Sequence, residues 1–299
     1  MEEYSEYQRE HIVDRPSAWH SLGLYFLRHE LRGGHRLMSL LLSAGLVRPV
    51  RWQLPGGVPI VAPVSRVEQW DLASLVRYGQ VDACAMAGII GTDAYALIDC
   101  GADFGQIPLQ LMSMGCKISD LIAFEPNPIS FPWCKHNLEA YGRVYDYAVS
   151  NFTGKAKLSA PADDDSPQAR FIEPAEDGSI NVVKIDDFEL AGENILLKLD
   201  IEGAELAALQ GSQRTLARAR KLLVCFEAHQ AVEKRVGISS LEVMKYLESI
   251  RPMAFCIPGT QERTIKMPTA MSADEVSQIM THDKIHNANI LAWSLNPAA

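Results

Sequence analysis

The apolar run Ala96–Cys100 breaks into the turn Gly101-Ala102-Asp103-Phe104-Gly105, and a second apolar run ends in Phe124-Glu125-Pro126-Asn127. This order of strand, glycine turn, helix, strand and acid constrains the fold more than any other feature of the chain. It predicts the head of a parallel α/β sheet with a ligand crevice beside it. The glycines are needed because a side chain there would hold the backbone away from the ligand. A helix starting near Gly105 would aim its first amides at the same place. Glu125 lies 20 residues beyond Gly105, at the end of the next strand. Its two carboxylate oxygens match the two hydroxyls of a ribose. The expected ligand is therefore a nucleoside cofactor, held by Asp99, Gly101, Asp103, Gly105 and Glu125. Asp103 has two readings, a partner for an ammonium group or the N-cap of the following helix.

A second motif follows about a hundred residues later, Leu196-Leu197-Lys198-Leu199-Asp200-Ile201-Glu202-Gly203-Ala204-Glu205. Ligands of open α/β sheets sit beyond the carboxyl ends of the strands, so Asp200 and Glu202 are expected to face substrate. Glu205, in the first turn of a helix, is expected to serve the helix dipole instead. A further strand, Leu222–Phe226, runs into Glu227-Ala228-His229. If it stays extended, Glu227 and His229 point to one side, and His229 is expected to be the general base, its imidazole oriented by Glu227. The candidate catalytic residues are thus Asp200, Glu202, Glu227 and His229, with a plain surface role as the alternative for His229.

Between these motifs strands and helices alternate, which argues for a mostly parallel sheet. Strands are predicted at Ala96–Cys100, Leu121–Phe124, Val144–Ala148, Ile195–Leu199 and Leu222–Phe226, with a closing pair at Met253–Ile257 and Asn289–Trp293. Helices are predicted near 105–114, 130–141, 203–219 and 240–250. Residues 151–182 fit the alternation poorly and read as an inserted loop or hairpin. Residues 1–16 read as a loose arm. Apolar spacing over 17–44 suggests one or two helices broken at Gly33-Gly34. Trp52–Val61 suggests a hairpin turning at Gly56-Gly57, and Trp70–Tyr78 a further helix. The domains expected are an N-terminal helical extension, 1–92, and a cofactor-binding domain, 93–299.

Composition bounds the partners. The chain has 299 residues and a net charge of −9, which excludes a general affinity for nucleic-acid backbone. None of its six cysteines forms a C-x-x-C pair, so reduced thiols in a cytoplasmic protein are expected. The polar start predicts no signal peptide. The apolar stretch Leu37–Val47 is far short of the ~20 residues that span a bilayer. His282 and His286 have helical spacing, and Asp163-Asp164-Asp165 is acidic, but neither has a ligand set that predicts a metal.

The ordered set of motifs resembles the FkbM-type methyltransferases. It comprises Leu97–Gly105, Phe124–Asn127, Ala148-Val149-Ser150 with Gly154, Val183–Phe188, and Leu197–Glu205 with Leu209-Gln210-Gly211, over about residues 93–295. The resemblance implies a class I, Rossmann-like sheet with an antiparallel closing strand. It implies S-adenosylmethionine as cofactor, with Asn127 and Ala148 added to its binding residues. It also implies O-methylation of a sugar, polysaccharide, or polyketide or peptide natural product. The family turn usually reads G-A-N-x-G, and Asp103 stands here for the asparagine. Trp133, Tyr141 and Tyr147 are open between adenine contact and core packing. The N-terminal extension is the surface on which a homo-oligomer would form. Two rivals stand beside this reading: a nicotinamide-dependent oxidoreductase, which lacks its G-x-G-x-x-G, and a scaffold that has lost catalysis.

Overall fold

The computed structural model describes residues 12–29, 34–63, 71–77, 79–160, 170–259 and 269–295. The expected helix break at Gly33-Gly34, the Asp163–Asp165 run, most of the N-terminal arm and both ends of the Trp70–Tyr78 helix fall wholly or partly outside them.

Two helices, α1 (Ala18–Arg28) and α2 (Gly34–Ser43), precede a hairpin of β1 (Arg51–Gln53) and β2 (Pro59–Val61). The hairpin turns where expected, because Gly56 and Gly57 take φ of 76° and 79°, a left-handed conformation that glycine adopts without penalty. Then come α3 (Leu72–Arg77) and α4 (Gln80–Ile90). Sequence reasoning missed α4. Its run Val81-Asp82-Ala83-Cys84-Ala85-Met86-Ala87 is apolar around most of its circumference, so no amphipathic period marks it.

The central sheet is built from β3 (Ala94–Cys100), β4 (Lys117–Phe124), β5 (Arg143–Tyr145), β10 (Asn194–Leu199), β11 (Lys221–His229), β12 (Met253–Cys256) and β13 (Asn287–Ser294). Their order is β12-β13-β11-β10-β3-β4-β5. All neighbours are parallel except β13, which is antiparallel to β11 and β12. This is the mostly parallel class I sheet with an antiparallel closing strand. Strands β3 and β10 are buried almost throughout, as their unbroken apolar runs require of central strands covered on both faces. The chain winds outward from β3 to β5 and then returns to lay β10 on the other side of β3. That reversal opens a crevice above their carboxyl ends.

Helix α5 (Gln106–Ser113) follows β3 and α6 (Phe131–Leu138) follows β4. The predicted strand Val144–Ala148 is in fact two. It breaks at Asp146, leaving β5 in the central sheet and sending β6 (Tyr147–Val149) into a second sheet. That sheet, in the order β6-β9-β7-β8, absorbs the inserted segment as β7 (Gly154–Ser159), β8 (Phe171–Pro174) and β9 (Ile180–Val183). The predicted helix 203–219 is likewise two, α7 (Glu205–Gln210) and α8 (Gln213–Arg218). It breaks at Gly211, where a Cβ would lie 2.1 Å from the Ser150 carbonyl oxygen. The chain then runs through α9 (Gln230–Val236), α10 (Ser240–Ile250) and α11 (Ala273–His282).

Residues on both sides of the expected boundary at 92 share one core. Ile60, Val61, Leu75, Met86 and Ile90 pack in a cluster with Leu97, Leu109, Leu121 and Trp133. Polar side chains stitch the same seam. Asn137 Oδ1 accepts from the Val61 amide at 3.1 Å, and its Nδ2 donates to the carbonyls of Val61 and Phe104 at 2.9 and 2.7 Å. Gln106 and Gln110 both donate to the Leu75 carbonyl. All six cysteines are free thiols, and no described helix is long and apolar enough to cross a membrane.

Candidate active site

The two motifs read from the sequence meet backbone to backbone. Gly101 has φ of 74°, and a Cβ there would stand 1.9 Å from the Asp200 carbonyl oxygen. Only glycine permits this approach. The Lys198 ammonium bridges the join. It donates to the Gly101 carbonyl at 2.6 Å and stands 3.2 Å from Asp99 Oδ1 and 3.5 Å from Asp200 Oδ2. Asp99 is 1% exposed and Lys198 is 8% exposed, so this is an ion pair inside the protein. Burial works against the Lys198 charge, but Asp99 and Asp200 outweigh it and hold its pKa above that of a free lysine. Burial pushes the Asp99 carboxyl up, with Lys198 pulling the other way.

Glu125 is tied to the turn it was expected to serve. Its Oε2 accepts from the Asp103 amide at 2.7 Å and its Oε1 from the Asn127 amide at 2.8 Å. Burial, then the nearby Asp103, raise its pKa to about 8 against these two bonds. Asp103 itself has φ of 50°, and its Oδ1 accepts from Ser130 Oγ at 2.8 Å. The N-cap position of α5 belongs to Gly105, with no side-chain capping bond. The capping alternative for Asp103 is therefore not what forms. Gly105 serves packing, since a Cβ there would lie 2.6 Å from Leu138 Cγ.

At the acidic edge the roles divide. Glu205 Oε1 accepts from the amides of Ile201 and Gly203 at 3.3 and 3.2 Å, so it closes the loop, and burial raises its pKa to about 7. Glu202 adopts φ of 57°, a left-handed conformation uncommon for a residue with a side chain. Strand β11 stays extended through His229 because β13 pairs with it to Asn287. Glu227 and His229 therefore share a face, as anticipated. No hydrogen bond joins them, and the nearby Asn287 amide favours the ionised Glu227 only weakly against burial. Burial, followed by Asp200, Glu202 and Glu205, raises Glu227 to about 8.

One contributor was not foreseen. Asp82, on α4 of the N-terminal extension, accepts from Asn289 Nδ2 at 2.7 Å. Asn289 lies opposite Glu227 in the β11–β13 ladder. Burial raises Asp82 to about 6, with a further push from Asp200. Nothing in its own sequence neighbourhood marks it.

Residues of both motifs and of β11 surround a cavity of about 320 Å³, within the size range of ligand pockets. Its wall includes Gly101, Asp103, Glu125, Asn127 and Ala148 on one side and Asp200, Glu202, Glu227 and His229 on the other. Asp99 and Gly105 lie behind the wall. Tyr147 lines the cavity with Val149, Leu158 and Ile172, whereas Trp133 is core and Tyr141 is exposed. Helix α11 ends at His282, so His282 and His286 do not share a helix; they bond Asp283 and Gln230 respectively. The donor set fits a nucleoside with an amino-acid tail. Carboxylates of Asp103 and Glu125 can accept from hydroxyls and an ammonium, and apolar side chains of Val149, Leu158 and Ile172 line the same cavity.

The raised carboxyls predict a pH dependence. Glu125, Glu227, Glu205 and Asp82 hold their protons more tightly folded than unfolded. The folded state therefore binds more protons between about pH 4 and 8, and stability falls as pH rises through that window. The ligand-free protein is expected to melt at least about 5 °C lower at pH 8.5 than at pH 5.5. A melting temperature that is flat or rises across this range would contradict the assignment.

The family model described as the methyltransferase FkbM domain matches residues 99–251. No curated protein sequence matches the chain. Among solved structures, the methyltransferase FkbM of Methylobacillus flagellatus KT is similar with a TM-score of 0.42 at 18% identity, covering 68% of this chain and 44% of that one. The phosphoethanolamine N-methyltransferase 2 of Haemonchus contortus, in complex with S-adenosyl-L-methionine, gives 0.40 at 10% identity, covering 79% and 59%. The tRNA (uracil-54, C5)-methyltransferase of Pyrococcus abyssi, in complex with S-adenosyl-L-homocysteine, gives 0.39 at 9% identity, covering 82% and 44%. The chain spans less than two thirds of the length of each of these three.

Proposed function

This chain belongs to the FkbM family of S-adenosylmethionine-dependent methyltransferases, and we propose that it methylates a hydroxyl oxygen of a sugar, polysaccharide, or polyketide or peptide natural product. The observation that carries the reading is the convergence on one cavity of the glycine turn, Glu125 and the acidic edge. When bound, the cofactor supplies a methyl group on an already activated sulfonium. The protein's work is then alignment of the acceptor and removal of its proton.

Glu125 would accept the ribose hydroxyls on the lone pairs that its two amide bonds leave free. Asp103, steadied by Ser130, would take the ammonium of the amino-acid tail. Tyr147, Ala148 and Val149, with Leu158 and Ile172 opposite, would flank the base. Lys198 fixes the Gly101 carbonyl and Asp200 relative to each other. Asp200 and Glu202 would orient the acceptor hydroxyl. We assign proton removal to Glu227, because it lines the cavity beside Asp200 and Glu202 and its raised pKa makes it a stronger base than an ordinary carboxylate. His229 would hydrogen-bond the acceptor.

Calorimetry tests the cofactor half of this reading. S-adenosylhomocysteine should bind and NAD should not. At pH 9, where Glu125 is ionised, Glu125→Ala should weaken binding by about 1.5–3 kcal/mol, the range for a hydrogen bond to a charged group. Tight NAD binding with no response to S-adenosylhomocysteine would sink it. Transfer of labelled methyl to a panel of oligosaccharides and hydroxylated peptides tests the acceptor half; label that reaches only nitrogen or carbon would overturn O-methylation.

A further inference from the structure

The inserted sheet roofs the cavity, yet β8 is its edge strand and pairs only with β7 among the described residues. Leu158 on β7 and Arg170 and Ile172 at the start of β8 line the cavity. Phe171, between the last two, is turned to a different partner. The Arg235 guanidinium, on α9, sits 4.4 Å from the centre of the Phe171 ring. The same guanidinium donates through Nη2 to the Glu202 carbonyl at 2.8 Å and reaches Glu202 Oε2 at 3.4 Å. One side chain thus touches the roof strand and the acidic loop together.

The floor of this contact is closely packed. Helix α9 presses on the loop at Gly203, where a Cβ would lie 2.6 Å from Val236 Cγ1 and 2.9 Å from Val232 Cγ1. Glu202, beside it, is held at a positive φ. The Arg235 and Glu202 side chains are only 26% and 18% exposed, so solvent screens their attraction weakly. A planar guanidinium can stack on a ring and donate in its own plane at once, which a lysine ammonium cannot.

We propose that Arg235 is a positioning residue that fastens the roof strand β8 to the Glu202 loop, so that the nucleoside product leaves only when the Arg235–Phe171 stack parts. The proposal rests on the cofactor reading above. It assigns Arg235 no contact with the reacting atoms. Its effect passes through Phe171 to Ile172 and Arg170 on one side, and through the Glu202 backbone on the other.

The test is the release rate of S-adenosylhomocysteine from the full chain, followed by stopped-flow displacement. Arg235→Ala and Phe171→Leu should each speed release about tenfold, as loss of a partly desolvated cation–π contact predicts. Phe171→Tyr keeps the ring and should stay within about twofold of wild type. Arg235→Lys keeps the charge near Glu202 but loses the stacking plane, and should fall between. The double variant Arg235→Ala/Phe171→Leu should release no faster than Arg235→Ala alone, because Arg235→Ala already removes the contact that Phe171→Leu removes. Release within about twofold of wild type in both Arg235→Ala and Phe171→Leu would overturn the proposal. Should Arg235→Ala fail to fold, the Phe171→Leu and Phe171→Tyr pair decides it. Wild-type protein that binds no S-adenosylhomocysteine would instead remove the cofactor reading itself, a result distinct from unchanged release in the variants.

Discussion

Lys198→Met is expected to destabilise the protein by about 3–5 kcal/mol, the range for removing one partner of a buried ion pair. Methionine keeps the length and most of the packing of the lysine stem, so the loss is not a cavity effect. It strands Asp99, which is 1% exposed, without its counter-charge. It also strips the donor from the Gly101 carbonyl. Asp99 can escape by taking a proton, so the loss should be smaller at pH 5 than at pH 8. Lys198→Met combined with Asp99→Asn should regain part of the stability, because a neutral pair no longer needs compensation. Denaturant melts of the three proteins check this. A single variant within about 1 kcal/mol of wild type would show that the pair carries little.

Glu227→Gln is expected to lower kcat by about 10²–10⁴-fold, the usual worth of a general base. Glutamine preserves the shape but cannot accept the proton. Affinity for S-adenosylhomocysteine should hardly change. In wild type, activity should rise with pH through a limb near 8, as Glu227 ionises, and that limb should vanish in the variant. His229→Gln separates the two neighbours. It keeps a polar contact for the acceptor and should cost less than about tenfold. If His229→Gln gives the larger loss and removes the acid limb, the base is His229 and the assignment reverses.

What could be read from the chain alone followed the length of the local signal. Strands β3 and β10 announce themselves because a buried parallel strand is an unbroken apolar run ending at a ligand edge. Their side-by-side pairing, and the contact of Gly101 with Asp200, came only with the fold. The misread elements break for reasons that lie elsewhere in the fold. Val144–Ala148 splits because two sheets compete for it on either side of Asp146. The helix after Gly203 stops at Gly211 because the Ser150 backbone passes too close. Asp82 reaches Asn289 only because α4 packs against β11. Arg235 and Phe171 stand 64 positions apart, and neither has a neighbour pattern that would have joined them. Alternation likewise gives the shared face of Glu227 and His229, but not whether a hydrogen bond joins them.

The buried join between Asp99 and Lys198 also dictates when the site can come into being. Asp99 is synthesised roughly a hundred residues before its counter-ion, an interval of about 5–20 s at usual elongation rates. Until β10 is made, β3 has no neighbour on that flank, and its carboxylate must stay hydrated or take up a proton. Closing the sheet around it earlier would bury a lone charge. The strand at the centre of the finished molecule is therefore among the last to be sealed, and the crevice for the ligand exists only after β10 has docked. A nascent chain halted before Lys198 would hold the glycine turn and Glu125 but should give no stable nucleoside site.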